Sequence, residues 1–128
     1  MMNLKQTRIV TNDVPALTSF YEKLTGATAT VLNAGYAEFQ RNPCAGLAIA
    51  TSAVAKAYGE GVVSVAANRS LIIDFEVDDV DAEYDRLQGI VSDWVQPPTV
   101  QPWGNRTILF RDPDGNLINM YMQPRAAE

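Results

Sequence analysis

The chain has 128 residues, a formal net charge of −5 at pH 7 and no histidine. A chain of this length can bury its own hydrophobic core, so we expect one domain spanning 1–128. The acidic balance argues against a nucleic-acid partner, because phosphate binding requires a basic surface. No apolar run approaches the roughly 18 residues of a membrane span, and the N-terminus lacks a secretory signal, so we expect a cytoplasmic protein without a membrane partner.

The first half of the chain has the pattern of one strand, one helix and three strands. Residues 4–11 are strand-like, and Asp13 offers a capping side chain before a helix that Gly26 ends. The helix is indicated by apolar residues at helical spacing: Val14, Leu17, Phe20, Tyr21 and Leu24. Strand-like runs follow at 28–33, 36–40 and 47–51. The single cysteine, Cys44, excludes an internal disulfide and is interpreted as a small turn residue.

The second half repeats this order after a connector. The connector, about 53–69, is rich in small residues and contains a short helix around 54–58, and 62–66 could equally form a short strand. A strand at 71–77 and a cap at Asp79 then precede a helix that runs to Ile90. We therefore predict an internal repeat, with module one at about 1–52 and module two at about 70–124.

Three strand candidates complete the second half. The run 94–101 contains Pro97 and Pro98, which restrict it to an edge or irregular strand. The last two runs, 106–111 and 116–122, flank Asp112-Pro113-Asp114-Gly115, a sequence typical of a tight turn. We predict an antiparallel hairpin here.

The negative charge is concentrated in the second half. Residues 1–66 carry a net charge of +1 and residues 67–128 a net charge of −6. Much of the excess comes from a crowded acidic run: Asp74, Glu76, Asp78, Asp79, Asp81, Glu83 and Asp85. We interpret this run as a strand end followed by a solvated helix N-terminus, where acids suit the helix dipole. The alternative is a rim that attracts a cation.

Three segments together resemble a known superfamily. They are TNDVPALTSFYEKLTG (11–26), DFEVDDVDAEYDRL (74–87) and PWGNRTILFRDPDGNLI (102–118). In this order they resemble the vicinal oxygen chelate superfamily of glyoxalases, bleomycin-resistance proteins and extradiol dioxygenases. The resemblance implies an α+β fold in which paired βαβββ modules form a curled mixed-sheet cleft. It also implies a homodimer, with modules paired within one chain or swapped between chains.

Enzymes of this superfamily hold a divalent metal through His, Glu or Gln on the first and last strands of each module. Those positions fall at Gln6, or by a register slip Arg8, near Ile72 and at Asn119, while LAIAT at the end of the first module offers no acid. Without histidine, and with one cysteine, the ligands that suit zinc, iron or nickel are missing. We therefore predict a metal-independent protein with no cofactor; the alternative is an atypical site built from Asp74 or Glu76.

The resemblance also implies a cleft, and in a cleft without a metal the lining residues are the candidates for ligand binding. Aromatic walls with a few polar groups make a small-molecule site. Asn119 and Tyr121 share a strand face by period-two alternation, and Trp103 lies between Pro102 and Gly104 at a loop edge. The predicted ligand-binding residues are Gln6, Arg8, Tyr36, Asp74, Trp94, Trp103, Arg106, Asn119 and Tyr121.

Three functions remain open from the sequence. The first is a dimeric, metal-independent binding protein for a small, partly aromatic molecule, which stacks on Trp103 and Trp94 and is fixed by Asn119 and Arg106. The second is a lyase, isomerase or dioxygenase with an atypical metal site that includes Gln6 and Glu76. The third is a dimeric interaction module whose cleft is vestigial.

Overall fold

A computed structural model describes residues 2–40 and 46–124, apart from the side chains of residues 55 and 56. The single cysteine, Cys44, which the sequence analysis interprets as a turn residue, lies outside the described residues. The backbone contacts divide the chain into two compact units, Met1–Ala67 and Asn68–Glu128. Within the described ranges, no helix is long and apolar enough to cross a membrane.

The first unit is a mixed four-stranded sheet covered by a helix. Its strand order is β1-β4-β3-β2, with β1 parallel to β4 and the remaining pairs antiparallel. The elements are β1 (Gln6–Thr11), α1 (Val14–Thr25), β2 (Thr30–Asn33), β3 (Tyr36–Phe39), β4 (Gly46–Thr51) and α2 (Val54–Tyr58). The short helix that the sequence predicted around 54–58 is confirmed as α2, whereas residues 62–66 form no strand.

Helix α1 begins and ends as its sequence predicts. The Asp13 Oδ1 atom accepts a hydrogen bond from the Ala16 backbone N–H at 3.0 Å, and proline occupies the first turn. At the other end, the Gly26 N–H donates to the Glu22 carbonyl at 2.9 Å. The five apolar residues at helical spacing are buried, and the helix packs against β3 and β4. Burial of this apolar stripe provides the core of the first unit.

The second unit has the same connectivity. Its strand order is β5-β8-β7-β6, with β5 parallel to β8 and the other pairs antiparallel. The elements are β5 (Ile72–Glu76), α3 (Val80–Arg86), β6 (Asp93–Val100), β7 (Arg106–Arg111) and β8 (Leu117–Met122). Asp79 caps α3 as Asp13 caps α1, by accepting from the Ala82 N–H at 3.1 Å. The repeat, the α+β class and the paired βαβββ modules are therefore confirmed.

Helix α3 is shorter than the sequence pattern indicates. The apolar spacing extends to Ile90, but the helix ends at Arg86. Gly89 has a φ of 85°, in the left-handed region, and the Ile90 and Val91 N–H groups both donate to the Leu87 carbonyl at 3.0 Å. The chain therefore turns at Leu87, which is fully buried, while Ile90 belongs to the turn and not to the helix.

The predicted hairpin and edge strand are both confirmed. β7 and β8 pair antiparallel across the Asp112 turn, in which the Gly115 N–H donates to the Asp112 carbonyl at 2.9 Å. β6, which contains the two prolines, is the edge strand, and its pairing with β7 shifts register twice. Backbone contacts group residues 53–67 with the first unit. The expectation of one domain, with a connector at about 53–69 between the two modules, stays a prediction.

Candidate functional site

The candidate site is a cavity on the helix-free face of the second sheet. In β8, Ile118, Met120 and Met122 are buried, while the alternate residues point to the opposite face. That face borders a cavity of about 640 Å³. Its floor includes Leu109, Leu117, Asn119 and Tyr121, and its rim includes Ile72, Asp74, Gln96, Gln101, Trp103, Asn105, Thr107 and Gln123.

Asp74 and Asn119 form a polar pair at one side of this cavity. The two residues are partners in the parallel pairing of β5 with β8, so their side chains lie on the same face. The Asn119 Nδ2 group donates to Asp74 Oδ1 at 2.9 Å. The Asn119 Oδ1 atom is shielded from solvent and has no hydrogen-bond partner among the described residues. Within the described residues, this pair therefore keeps an amide oxygen that no hydrogen bond uses.

Trp103 stands at the cavity edge on a tight loop between β6 and β7. The loop is closed by the Gln101 N–H, which donates to the Asn105 carbonyl at 2.8 Å, and by the Gly104 N–H, which donates to the Gln101 carbonyl at 2.9 Å. Gly104 has a φ of 102°, and a Cβ there would lie 3.2 Å from Pro124. The loop leaves Trp103 70% exposed, so its indole is available for stacking.

An amide cluster borders the cavity on the side of β6. The Gln101 Nε2 group donates to Gln96 Oε1 at 2.9 Å and to Thr107 Oγ1 at 2.8 Å. On the β5 side, the Gln123 Nε2 group donates to Glu76 Oε2 at 3.0 Å. Sequence reasoning did not identify these glutamines, because glutamine in a strand usually indicates a solvated surface. Side chains alternate between the two faces of a strand. Since Ile108 and Phe110 are buried on the helix side, this alternation predicts that Thr107 and Leu109 lie on the cavity side.

Two predicted residues of the second unit lie away from this cavity. The Trp94 ring packs against Tyr84 and Phe110, at centroid distances of 4.7 and 5.3 Å, on the helix side of the sheet. Trp94 pairs with Phe110 and Gln96 pairs with Leu109, so the register shifts between the two β6 residues. Because a bulge breaks period-two alternation, Trp94 and Gln96 face opposite sides despite their even spacing.

Arg106 is engaged in a separate ion pair. Its Nε and Nη2 groups both donate to the Asp81 carboxylate at 2.8 Å. This hydrogen bonding, aided by the charges of Asp81 and Asp79, raises the pKa of Arg106 above its ordinary value. The pair borders a smaller cavity of about 310 Å³ with Met122 and Pro124. The structure therefore brings together Asp74, Trp103, Asn119 and Tyr121 but not Trp94 or Arg106.

The predicted residues of the first unit form two polar contacts of their own. The Gln6 Nε2 group donates to the Tyr36 hydroxyl at 2.7 Å, and that hydroxyl donates to Glu38 Oε2 at 2.9 Å. The Arg8 Nη2 group donates to the Tyr58 hydroxyl at 2.6 Å, and its guanidinium carbon lies 5.3 Å from the Tyr58 ring centroid. Gln6 and Tyr36 are thus hydrogen-bonded to each other, and Arg8 contacts α2.

The residues at the expected metal positions do not fit a divalent ion. Ile72 has no ligand atom, and Asn119 and Gln6 each offer only one neutral amide oxygen. Across residues 2–40 and 46–124, no group of three or more His, Cys, Asp or Glu side chains is placed to hold a metal ion. Hard divalent ions require several converging oxygen ligands, which these positions do not supply.

Comparison with known sequences places the chain in a family. The sequence profile of the Glyoxalase/Bleomycin resistance protein/Dioxygenase superfamily matches residues 3–120. The chain belongs to this superfamily. The protein YraH of Bacillus subtilis (strain 168) is 31% identical over 126 residues, which cover 94% of this chain and 98% of YraH.

Solved structures show the same fold. A glyoxalase/bleomycin resistance protein/dioxygenase from Nocardioides superposes with a TM-score of 0.79 at 22% identity, covering 100% of this chain and 87% of that one. A glyoxalase-related enzyme from Fulvimarina pelagi gives a TM-score of 0.81 at 19% identity, covering 99% and 94%. TioX from Micromonospora sp. ML1 gives 0.68 at 19% identity, covering 95% and 99%.

Proposed function

We propose that this chain is a metal-independent binding protein for a small, partly aromatic molecule, which it holds in the cavity on the helix-free face of the second sheet. The observation that carries the proposal is the composition of that cavity. Leu109 and Leu117 form an apolar floor, Trp103 provides an exposed aromatic surface, and Asn119 and Tyr121 provide polar groups. Its volume of about 640 Å³ lies within the range typical of small-molecule sites.

The chemistry of the family's metal positions supports binding in preference to metal-assisted catalysis. Ile72 cannot coordinate an ion, and Asn119 carries no charge. The family also includes bleomycin resistance proteins, and they are the precedent for a dimeric binding protein of this type. The alternative is a metal-dependent lyase, isomerase or dioxygenase, and a metal-binding experiment distinguishes it from the binding protein.

The two tryptophans provide a direct test of where a ligand binds. Their indole N–H signals in a two-dimensional NMR spectrum can be assigned with Trp94→Phe and Trp103→Phe. We expect neutral aromatic probes, namely 2-naphthol, indole and benzamide, to shift the Trp103 signal in a saturable way. The Trp94 signal should move little, because that ring packs on the opposite face of the sheet. Saturable shifts at neither tryptophan, or at Trp94 alone, would contradict the proposal.

A metal arm of the same experiment tests metal independence. Protein incubated with Mn, Fe, Ni or Zn should retain no stoichiometric metal by elemental analysis, and its melting temperature should not rise, because an ion that binds the native state would raise it by mass action. Probe affinities should be the same with and without EDTA. About one metal per chain, with a rise in melting temperature, would favour the metal-dependent enzyme.

A further inference from the structure

We infer that the ligand of this cavity carries a neutral amide, such as a lactam or an imide, whose N–H donates to Gln101 Oε1 and whose carbonyl accepts from Gln96 Nε2. This inference rests on the proposed function and specifies the polar group of its ligand. Three features carry it: the hydrogen bonds that orient the two glutamines, the solvent access of their free atoms, and the neutral cavity wall around them.

The Gln101 amide is oriented so that only its oxygen is free to contact a ligand. Its Nε2 group has two hydrogens and donates to two acceptors, Gln96 Oε1 at 2.9 Å and Thr107 Oγ1 at 2.8 Å. A flipped amide would place its oxygen against the Gln96 oxygen, so these two bonds set the orientation. Gln101 therefore accepts hydrogen bonds from a ligand and donates none, which requires a donor on the ligand.

The Gln96 amide presents donors at its free end. Its oxygen accepts from Gln101 and retains one lone pair, while its Nε2 group keeps both hydrogens, since it donates to no residue in the described part of the chain. The shift of register in β6 brings this side chain to the helix-free face. A ligand that uses both glutamines thus needs an acceptor for Gln96 as well as a donor for Gln101.

Both free atoms are accessible to a ligand. Gln96 and Gln101 line the cavity and are only partly buried. Within the described ranges, the side-chain polar atoms that are shielded from solvent and lack a partner are Thr18 Oγ1, Asp114 Oδ2 and Asn119 Oδ1. Gln101 Oε1 and Gln96 Nε2 are not among them, so they remain open to solvent. Because the two amides are hydrogen-bonded to each other, one small molecule can contact both.

The cavity wall around these amides carries no formal charge. Thr107 and Asn105 are neutral, and Asp74 is the only residue with a formal charge among the described residues that line the cavity. Asp74 lies on β5, and β5 and β6 are the two outer strands of the sheet, so Asp74 and Gln96 lie at opposite edges. At the β6 edge, a cation would face the Gln96 N–H groups, and a carboxylate would have no hydrogen for Gln101 Oε1. A neutral group suits both glutamines.

An amide meets this requirement with two separate atoms. Its N–H only donates and its carbonyl only accepts, whereas a single hydroxyl places both functions on one oxygen. The donor and acceptor positions belong to different side chains, so an amide satisfies both at once. The flat ring of a lactam also suits stacking on Trp103, which lies two residues beyond Gln101 in the same loop.

The test compares four neutral probes of two rings each: 2-quinolinone, 1-methyl-2-quinolinone, 2-naphthol and 2,3-dihydroxynaphthalene. The first is a lactam, and the second is the same lactam without its N–H. Each is titrated into the full-length protein and followed by the Trp103 indole signal. We expect 2-quinolinone to bind about fivefold more tightly than 1-methyl-2-quinolinone, as one neutral hydrogen bond allows, and more tightly than either naphthol. Added NaCl should not change this preference, because no ionic contact is involved.

Gln101→Met tests whether the N–H of the lactam donates to Gln101. The substitution removes the acceptor, while the bonds that close the Trp103 loop use backbone groups of Gln101 and are kept. The affinity for 2-quinolinone should fall about fivefold and that for 1-methyl-2-quinolinone should change less than about twofold, so the preference disappears. If the methyl group is disfavoured only because of its size, the preference persists in Gln101→Met, and the contact with Gln101 is wrong.

Gln96→Met tests the carbonyl contact. Both quinolinones have the carbonyl, so both should lose affinity by a similar factor of about fivefold. Gln88→Met is the matched control, because the Gln88 amide donates to the Tyr84 carbonyl of α3 and does not line the cavity. It should leave all affinities unchanged. Melting temperatures of the three variants show whether each is folded.

The outcomes separate the inference from the proposed function. If the two quinolinones bind the unaltered protein equally, or either naphthol binds as tightly as 2-quinolinone, the amide class is wrong and the binding site stands. If Gln96→Met changes affinities no more than Gln88→Met, Gln96 is not the donor to the carbonyl. If none of the probes shifts Trp103, the proposed site fails and the inference fails with it.

Discussion

Asp112 organises the turn between β7 and β8 through its side chain. The carboxylate is buried and accepts from the Asp114 N–H and the Asn116 N–H, each at 2.9 Å, and from Asn116 Nδ2 at 2.8 Å. Asp112→Ala should lower the free energy of unfolding by about 2–3 kcal/mol, because it leaves buried donors without acceptors. Urea unfolding monitored by circular dichroism measures this change.

The control for this prediction is Asp85→Ala. Asp85 is exposed, and an exposed helical position away from special features should change stability by no more than about 0.5 kcal/mol. Asp112→Asn should lie between the two, since an amide oxygen in place of Oδ1 still accepts from both turn N–H groups, whereas an NH2 group in place of Oδ2 cannot accept from Asn116 Nδ2. If Asp112→Ala cost no more than Asp85→Ala, the side chain would not organise the turn.

At the scale of elements, the two modules use the same device to start their helices. Asp13 and Asp79 each accept from the backbone N–H three residues later, at 3.0 and 3.1 Å. Asp13→Ala and Asp79→Ala should each lower the free energy of unfolding by about 1 kcal/mol, and Ser at either position should restore most of it. Thermal and urea unfolding of the four variants provide the measurement. Equal losses for Ser and Ala would mean that capping is not the reason for these aspartates.

The elements also show where the spacing of apolar residues predicts the bounds of a helix or strand and where it does not. The spacing of apolar residues in α1 and the turn sequence after β7 act locally, so both elements were predicted with nearly the observed bounds. The end of α3 was not predicted correctly. The apolar pattern extends to Ile90, and it gives no sign of the left-handed turn that Gly89 allows. Local sequence preferences predict an element correctly where tertiary packing does not override them.

At the scale of the whole molecule, each unit of a single chain exposes apolar side chains. In the first unit Val31 and Leu32 are 63% and 61% exposed, and in the second Val100 is 59% and Ile72 52% exposed. We propose that the chain is a homodimer, as the family resemblance implies, because an interface would cover such side chains. Light scattering after size exclusion should give twice the chain mass of 14.0 kDa. A mass of one chain across a range of concentrations would contradict the proposal.

The sequence by itself determined the order of elements, the repeat of two βαβββ modules and the presence of Trp103, Asn119 and Tyr121 near one another in the chain. These follow from periodicity, turn chemistry and residue types, which act over short distances. Only the tertiary structure decided which side chains meet. The pairing of β5 with β8 joins Asp74 to Asn119, and the bulge in β6 turns Trp94 away while Gln96 faces the cavity. Strand register is set by packing across the whole sheet, so one shift moves a side chain to the other face, and no local pattern records it.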